Sequence, residues 1–352
     1  MEQECKNGFR FTPTVIGSMP YVDAAEAVAM VLSELPDAPA WPQLPRRSPL
    51  EQMYVQYSEG MPCVDVDEEE GQIQFRQDDE YVEELAGFYE SYLAGEWDAF
   101  AISPEYAPGL WEMLRRLDEP DNGDCLYVKG QVTGPVSFAL SVTDDDDQAV
   151  MHDPQLADVA TKALAAKARW QVRELKETGR EVILFFDEPY LAAFGSGFVS
   201  LSREQVVAML EEVIAAAADE GAIVGVHCCA NTDWSLLMAT SADIINFDAY
   251  GYMEGMTLYP RQLTEFLERG GILAWGVVPS SDEVLGDDAE AAADRFVDGI
   301  DQLARRGVPR ELLLRSALIT PSCGAGTLSP DAATAMVTAT RETGAELRDR
   351  FG

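Results

Sequence analysis

The sequence predicts an α/β protein that forms a single (β/α)8 TIM barrel over residues 1–352, and two observations favour this fold. Short apolar runs alternate along the chain with longer, alanine-rich amphipathic runs, an order typical of βα units around a parallel sheet. Several of the apolar runs carry no polar residue on either face, as strands buried on both faces require. A chain of 352 residues with 47% hydrophobic residues can form one such barrel with an insertion.

The individual elements follow from the same patterns. Seven strands are predicted at residues 12–18, 126–134, 181–189, 222–229, 242–250, 272–280 and 316–324. Helices are predicted near residues 23–35, 154–179, 202–220, 233–240, 260–269, 287–306 and 329–347. The eighth strand that a closed barrel needs is assigned to APAWPQLP (38–45), although its prolines cannot donate backbone hydrogen bonds.

Residues 46–122 are longer than one βα unit needs, and we predict that they form an insertion over one rim of the barrel. Within this stretch, VDVDEEEGQIQFRQ (64–77) has the alternating apolar residues of a hairpin. Helices are expected to follow at about 79–94 and 105–117.

The composition excludes some classes of partner. A net charge of −37 predicts a surface that repels nucleic acid and anionic membranes. A proteome-wide habit such as salt adaptation accounts for this acidity, and a basic protein partner is the alternative. No charge-free apolar run reaches the length of about 18 residues that suggests a membrane span, and the N-terminal residues lack the apolar region of a signal peptide. A cytoplasmic protein is therefore expected, and its six unevenly spaced cysteines argue against a disulfide framework.

Unusual polar residues collect at the carboxyl ends of the predicted strands, where TIM barrels carry their chemistry. Residues two apart on a strand share a face, so His227 and Cys229 are expected to face the barrel axis and Cys228 the helices. Asp248 and Cys323 end two further strands. One nitrogen, two sulfurs and one carboxylate form a donor set that suits Zn²⁺.

The alternative for a cysteine in a strand is burial as a small apolar residue. We interpret Cys5, Cys63 and Cys125 in this way. His152, in the acidic run DDDDQAVMHDP, is interpreted as an exposed histidine without a functional role. Cys323 differs because it lies in the glycine-rich stretch TPSCGAGT at a strand end.

The chain resembles the C-terminal, catalytic barrel of cobalamin-independent methionine synthase, within the superfamily that includes uroporphyrinogen decarboxylase. The matching segments are VIGSMP (15–20), VKGQVTGPVSF (128–138), FFDEP (185–189), VHCC (226–229), SADIINFD (241–248) and PSCGAGT (321–327). They occur in order, and the most specific are the H-x-C segment and the late Cys-Gly. The family's additional N-terminal barrel has no counterpart in these residues.

The resemblance implies a zinc site formed by His227, Cys229 and Cys323. Asp248 stands at the position of the family's glutamate ligand and is one methylene shorter. One Zn²⁺ per chain is therefore the expected cofactor, and Asp248 is the ligand that the shorter side chain puts in doubt.

The resemblance also implies a substrate subsite. The turn formed by Ile16, Gly17 and Ser18 is expected to bind the amino-acid part of homocysteine, and Asp187 its amine. Glu188 is grouped with these residues as the neighbouring carboxylate, although strand alternation points it away from the barrel axis.

The implied reaction is methyl transfer to the sulfur of homocysteine, which gives methionine. A free thiol is mostly protonated at neutral pH, and coordination to Zn²⁺ deprotonates it. The family's loop after the seventh strand carries a histidine that protonates a folate leaving group, whereas WGVVPSSDEV (275–284) has none. Cob(I)alamin needs no proton, so the expected donor is a methylcorrinoid, presented by a separate corrinoid protein.

Three other functions stay open at this point. A methyltransferase acting on a different thiol such as coenzyme M would need cations for the sulfonate, near Arg46 and Arg47. A uroporphyrinogen-decarboxylase-like enzyme would need a basic cleft for a polyanionic substrate, which an acidic chain does not favour. A non-enzymatic zinc-binding protein would be expected to hold its metal with four ligands in a compact local cluster.

Overall fold

The computed structural model describes residues 9–119, 125–194, 201–315 and 317–352, and its centre is a parallel sheet. The seven strands of this sheet are β1 (Arg10–Pro13), β4 (Tyr127–Thr133), β6 (Glu181–Asp187), β7 (Ile223–Cys228), β8 (Ile244–Phe247), β9 (Ile272–Val278) and β10 (Ala317–Pro321). Their order is β1-β10-β9-β8-β7-β6-β4, with every pairing parallel. The predicted α/β class with a parallel sheet is confirmed.

The register of three neighbouring strands places their last polar residues side by side. Thr133 of β4 pairs with Asp187 of β6, and Asp187 pairs with His227 of β7. Because parallel strands end at the same edge of a sheet, these three side chains meet at the carboxyl edge. Their hydrophobic neighbours lower in the strands are buried, so the polar residues lie on top of an apolar core.

Residues 37–43 run between the two edges of this sheet. On one side, Lys129 donates its N–H to the Pro39 carbonyl (2.8 Å) and accepts from Trp41 N (3.1 Å). On the other side, Gln43 N donates to the Gly17 carbonyl (3.1 Å). The segment thus makes single parallel bridges to both edges rather than a regular strand, because its prolines have no N–H to continue a ladder.

Below the carboxyl edge, one apolar cluster contains at least one residue from each of the seven strands or its flank and one from residues 37–43. Its members are Phe9, Ala38, Tyr127, Ile183, Phe185, Ile223, Ile244, Ile272, Ala274 and Leu318, all at most 7% exposed. This packing fixes the strands from below and leaves their carboxyl ends to form the site.

Helices follow most strands, as βα units require. They are α1 (Ala24–Glu34), α2 (Tyr81–Ala94), α3 (Pro108–Leu117), α4 (Pro135–Ser141), α5 (Pro154–Lys176), α6 (Arg203–Asp219), α7 (Trp234–Met238), α8 (Ala249–Met256), α9 (Pro260–Glu268), α10 (Ala289–Arg305), α11 (Arg310–Arg315) and α12 (Pro330–Phe351). Short helices α4, α8 and α11 were not predicted. Two glycines and a non-helical Tyr252 interrupt the pattern of α8, and α4 and α11 have too few residues to show a period.

The predicted hairpin within residues 46–122 is present. Strand β2 (Val64–Asp67) pairs antiparallel with β3 (Gln72–Phe75), and β3 pairs in parallel with the two-residue strand β5 (Thr143–Asp144). Helices α2 and α3 follow, close to their predicted bounds. Residues 120–122 of the predicted insertion lie outside the described residues.

The cysteines outside the carboxyl edge behave as ordinary thiols. Cys63 is buried and Cys125 accepts a hydrogen bond from Arg180 Nε at 2.7 Å. Every described cysteine is a free thiol, and Cys5 lies outside the described residues. In the described ranges, no helix combines the length and apolar character that crossing a bilayer requires.

Candidate metal centre and its cavity

Three side chains with metal-binding atoms meet at the carboxyl edge of the sheet. His227 lies near the end of β7, Cys229 follows that strand, and Cys323 follows β10. Their ligand atoms all lie within 4.8 Å of one another. Strand alternation gives this result, because residues two apart share a face and the intervening Cys228 turns into the helix layer, where it is fully buried.

The imidazole of His227 is oriented by a hydrogen bond on the side away from this group. Its Nδ1 lies 2.5 Å from Asn246 Oδ1. Its Nε2 is buried and has no hydrogen-bond partner among the described residues. A buried nitrogen with an unused lone pair costs free energy unless a ligand satisfies it.

The two cysteines share one negative charge in the absence of a metal. Interactions with Cys323 and then with His227 lower the pKa of Cys229 to about 4, against the opposing effect of burial. The Cys229 sulfur and burial in turn raise the pKa of Cys323. Burial lowers the pKa of His227, but the Cys229 sulfur and the Asp187 carboxyl outweigh it and raise that pKa. The centre is thus prepared to hold a positive charge.

Nitrogen and sulfur donors of this kind fit Zn²⁺. Zinc is held by thiolate and imidazole ligands at about 2.0–2.3 Å, and a catalytic site uses three protein ligands with a fourth position open to water or substrate. The orphaned Nε2 and the preformed thiolate satisfy the first requirement.

Asp248 does not belong to the group of three. Asp248 is the N-cap residue of helix α8, and its Oδ1 accepts a hydrogen bond from Gly251 N at 2.6 Å. Burial raises its pKa, and the Cys229 sulfur adds to the shift; the group of converging ligand atoms does not include this carboxyl. The predicted ligand role of Asp248 therefore stays a prediction, with its side chain occupied as a helix cap.

A cavity of about 670 Å³ opens above the three ligand atoms. It is lined by Ile16, Ser18, Gln43, Pro45, Arg46, Glu51, Gln52, Met53, Tyr57, Thr133, Asp187, Pro189, His227, Cys229, Cys323, Gly324, Gly326 and Thr327. The volume is in the range of small-molecule sites.

We name Thr133, Asp187 and His227 the floor of this cavity. Each carries one buried polar atom without a hydrogen-bond partner in the described part of the chain: Thr133 Oγ1, Asp187 Oδ1 and His227 Nε2. Burial raises the pKa of Asp187 to about 6, opposed by the charges of His227 and Lys129. The floor therefore presents two oxygens and one nitrogen that the protein itself leaves unsatisfied.

The predicted turn of Ile16, Gly17 and Ser18 lies against the loop that carries Cys323. Ser18 accepts hydrogen bonds from Ala325 N at its carbonyl (2.8 Å) and from Gly326 N at Oγ (3.3 Å). A methyl group added at Gly17 would come within 2.6 Å of the Gln131 side chain. Buried Lys129 donates to the Ile16 carbonyl at 2.5 Å, so this turn is fixed from below.

Glu188 has a different place from the one expected of a substrate-binding residue. It is fully buried and does not line the cavity as described. Its carboxylate accepts hydrogen bonds from Val136 N (2.9 Å), Ser137 N (2.8 Å) and Ser137 Oγ (2.6 Å). Glu188 thus caps helix α4, and its assignment to the substrate group is corrected; the strand alternation that points it away from the axis explains why.

Sequence reasoning missed a group of buried polar residues, three of which line the cavity, while the fourth, Gln56, bonds Gln43. We name Gln43, Glu51, Gln56 and Tyr57 the wall. All four are at most 8% exposed; Gln43 lies in the proline-containing segment assigned to the eighth strand, and the other three come from residues 51–57, whose pattern gave no strand or helix period. Thr133 and Asn246 were also missed, since Thr133 ends a strand of mixed composition and Asn246 is one polar residue in the apolar strand β8.

No protein-family model matches this sequence, and no curated protein matches it either. Among solved structures, the chain is similar to the GH113 beta-mannanase AaManA from Alicyclobacillus acidocaldarius, with 14% identity over 69% of this chain and 77% of that one and a TM-score of 0.41. It is also similar to an amidohydrolase, with 15% identity over 67% of this chain and 66% of that one and a TM-score of 0.27. Similarity at this level carries no conclusion about activity.

Proposed function

We propose that this protein is a zinc-dependent methyltransferase that moves a methyl group to the sulfur of homocysteine, on a barrel closed as (β/α)8 by residues 37–43. The observation that carries the proposal is the convergence of His227, Cys229 and Cys323 at the base of a cavity of about 670 Å³. The segment resemblance to the catalytic barrel of cobalamin-independent methionine synthase adds the reaction type.

The three side chains would hold Zn²⁺ and leave a fourth position for the substrate sulfur. Zinc supplies Lewis acidity that keeps a bound thiol in its reactive thiolate form at neutral pH. The ligands come from two strands separated along the chain, and a set spread across a barrel mouth favours an open, catalytic site over a compact structural one.

The rest of the floor orients the substrate. A primary ammonium group donates three hydrogen bonds, and Asp187 Oδ1 and Thr133 Oγ1 are two buried oxygens that lack donors. With the amine bound there, the substrate sulfur would lie towards His227, which pairs with Asp187 in the strand register. The negative charge of Asp187 favours ammonium over a neutral or anionic group.

The donor is proposed to be a methylcorrinoid on a separate protein. Displacing a folate amine requires a proton donor, whereas cob(I)alamin leaves without one. The sequence contains two histidines; His227 belongs to the centre, and His152 is exposed in a short 3-10 helix and is not among the residues that line the cavity. No imidazole is therefore free to protonate a folate at the cavity.

The site gives less support to a sulfonate-bearing thiol such as coenzyme M. Arg46 already donates to the carbonyls of Gly326 (3.1 Å) and Thr327 (2.7 Å). Arg47 pairs with Glu51 at 2.5 Å and donates to the Glu105 carbonyl. Both guanidinium groups are thus engaged with protein oxygens rather than presented to a ligand.

The proposal is tested by metal content and turnover in the same preparations. We expect about one zinc per chain in the wild type and methionine formation from homocysteine with methylcobalamin but not with methyltetrahydrofolate. Cys323→Ser is expected to lose both zinc and turnover, whereas Cys125→Ser, which changes a thiol outside the cavity, keeps both. A wild type without bound zinc, or turnover with the folate alone, would overturn the zinc or the donor assignment respectively.

A further inference from the structure

One side chain beneath the metal centre controls how His227 is presented. Asn246 is fully buried in β8 and is paired with His227 across β7 and β8. Its Oδ1 lies 2.5 Å from His227 Nδ1. Asn246 lies within the matching segment SADIINFD (241–248), but the family resemblance implies no role for it.

The orientation of the Asn246 amide follows from its other two contacts. Its Nδ2 donates to the Ala274 carbonyl (2.9 Å) and to Thr320 Oγ1 (2.8 Å). A backbone carbonyl only accepts hydrogen bonds, so the NH₂ group must lie on that side and the amide oxygen must face His227. Strands β9 and β10 thereby fix the amide from two directions.

An amide oxygen also only accepts, so His227 must carry a proton on Nδ1. In the neutral imidazole, the lone pair is then on Nε2. Nε2 is the buried atom without a hydrogen-bond partner in the described chain, on the side of the ring where Cys229 and Cys323 lie.

We propose that Asn246 is a positioning residue that fixes the tautomer and ring orientation of His227 so that Nε2 is the metal-binding atom. The inference rests on the proposed zinc site and not on the identity of the methyl donor or the thiol. Loss of a residue that hydrogen-bonds a metal-binding histidine commonly lowers metal affinity by about 10- to 100-fold.

A neutral amide suits this position better than a carboxylate. The centre already contains two cysteine sulfurs, and two thiolates with a neutral imidazole balance the charge of Zn²⁺. An additional buried anion behind the imidazole would need its own partner. Asparagine supplies the acceptor without the charge.

The tautomer can be measured directly because the chain has two histidines. In metal-free protein labelled with ¹⁵N-histidine, at a pH where both imidazoles are neutral, we expect His227 to show a protonated Nδ1 and an unprotonated Nε2. The exposed His152 provides the internal reference, and its signals are assigned with His152→Gln. A wild-type His227 protonated on Nε2 would overturn the inference whether or not zinc binds.

Zinc affinity, measured by competition with a chromophoric chelator, provides the second readout. Asn246→Leu is expected to weaken binding by about 10- to 100-fold, and Thr320→Val by less because the Ala274 carbonyl still accepts from the amide. Asn246→Asp keeps an acceptor and is expected to keep the Nδ1 proton. The matched control is Gln171→Leu, which removes a fully buried amide that bonds Trp41 and the Gln131 carbonyl.

These outcomes separate the inference from the proposed function. If the wild type binds no zinc, the proposed function fails while the tautomer measurement still decides the role of Asn246. If the wild type binds zinc and both Asn246→Leu and Thr320→Val bind it equally well, the positioning role is wrong. Should Asn246→Leu fail to fold, Thr320→Val and the wild-type tautomer carry the test.

Discussion

The floor and the wall of the cavity bury polar groups in opposite ways. Every floor residue keeps one buried atom without a partner in the described chain. On the wall, Tyr57 donates to the Gln131 carbonyl (2.7 Å), and Gln43 Nε2 donates to Gln56 Oε1 (2.7 Å) and to the Tyr57 hydroxyl (3.1 Å). Unsatisfied buried groups destabilise a fold and satisfied ones specify it, so the floor is built to receive a ligand and the wall to hold the shape.

This difference assigns distinct effects to substitutions in the two regions. Replacing a floor or metal-binding residue is expected to cause a large loss of zinc binding, substrate binding or turnover and little loss of stability. Replacing a neutral hydrogen-bonding residue of the wall is expected to lower the free energy of unfolding and to leave metal binding unchanged. The four predictions that follow test this division, from the largest expected effect to the smallest.

The largest effect is expected from Cys229→Ser. A serine hydroxyl is a poor zinc ligand compared with a thiolate, so we expect zinc content near zero and methyl transfer reduced by about 1,000-fold or more. The free energy of unfolding of the metal-free protein should change by less than about 1 kcal/mol, because Cys229 is only partly buried. Elemental analysis and urea unfolding give the two readouts.

The control for this prediction is Cys228→Ser. This neighbouring thiol is fully buried in the helix layer and donates to the Ala230 carbonyl, so its replacement should keep the zinc and lower stability. Loss of zinc in Cys228→Ser with retention in Cys229→Ser would contradict the strand alternation on which the site depends.

The second-largest effect is a pH-dependent contribution of Glu51, a wall residue, to the free energy of unfolding. Burial raises the pKa of Glu51 to about 7, against the lowering effects of Arg47 and of the Leu44 N–H. Because the folded state binds the proton more tightly than the unfolded state, whose pKa is 4.5, this group stabilises the fold below about pH 4.5 and loses that contribution as the pH rises through 7.

Glu51→Gln removes this titration. The quantity of interest is the free energy of unfolding of the metal-free variant minus that of the metal-free wild type. This difference should increase by on the order of 2 kcal/mol as the pH rises from 4.5 to 8, since each unit of pKa shift corresponds to about 1.4 kcal/mol. Urea unfolding of both proteins at each pH measures the difference, which cancels the effect of the remaining charges. A pH-independent difference would show that Glu51 is ionised throughout.

The sequence predicted the strand ends that carry the metal-binding residues better than it predicted the wall. Buried strands and amphipathic helices have clear periods, so the parallel sheet and the strand ends that carry His227, Cys229 and Cys323 were predicted close to their observed positions. The wall was not predicted, because residues 43–57 fold as irregular turns and short 3-10 helices without a period. Hydrogen bonds across strands, such as that of Asn246, depend on register, which one strand alone does not reveal.

Adjacent residues Asp187 and Glu188 show the same limit at the level of single side chains. Both are carboxylates at one strand end, and alternation predicted opposite directions for them. Only the structure shows that helix α4 supplies three donors to Glu188, whereas Asp187 Oδ1 receives none in the described chain. The number of available donors, rather than the residue type, separates a structural carboxylate from a binding one.

The third effect is expected from Thr133→Val on the floor. Valine keeps the branched shape and removes an unpartnered buried hydroxyl, so stability should rise by up to about 1 kcal/mol. The KM for homocysteine should rise by about 10-fold, since a hydrogen bond from a charged donor contributes about 1.5–3 kcal/mol. An analogue without the amine, 4-mercaptobutanoate, should react equally well with both proteins.

The matched control is Thr161→Val. Thr161 is also buried, but its hydroxyl donates to the Ala157 carbonyl within helix α5 at 2.8 Å. This variant should lose stability and keep the wild-type KM. If Thr133→Val raises the KM equally for the thiol with and without an amine, the hydroxyl acts on the cavity's shape and not on the ammonium group.

The smallest effect is expected from Tyr57→Phe on the wall. The phenol is fully buried and joins two partners, yet both have other bonds: the Gln131 carbonyl also accepts from Gln171 Nε2 (3.0 Å), and Gln43 also donates to Gln56. Removing the hydroxyl therefore leaves neither partner unsatisfied, and we expect a loss of about 0.5–1.5 kcal/mol in the free energy of unfolding, with zinc affinity unchanged. Because Thr133→Val is expected to shift stability in the opposite direction, unfolding both variants under one set of conditions tests the division between floor and wall, and two shifts of the same sign would refute it.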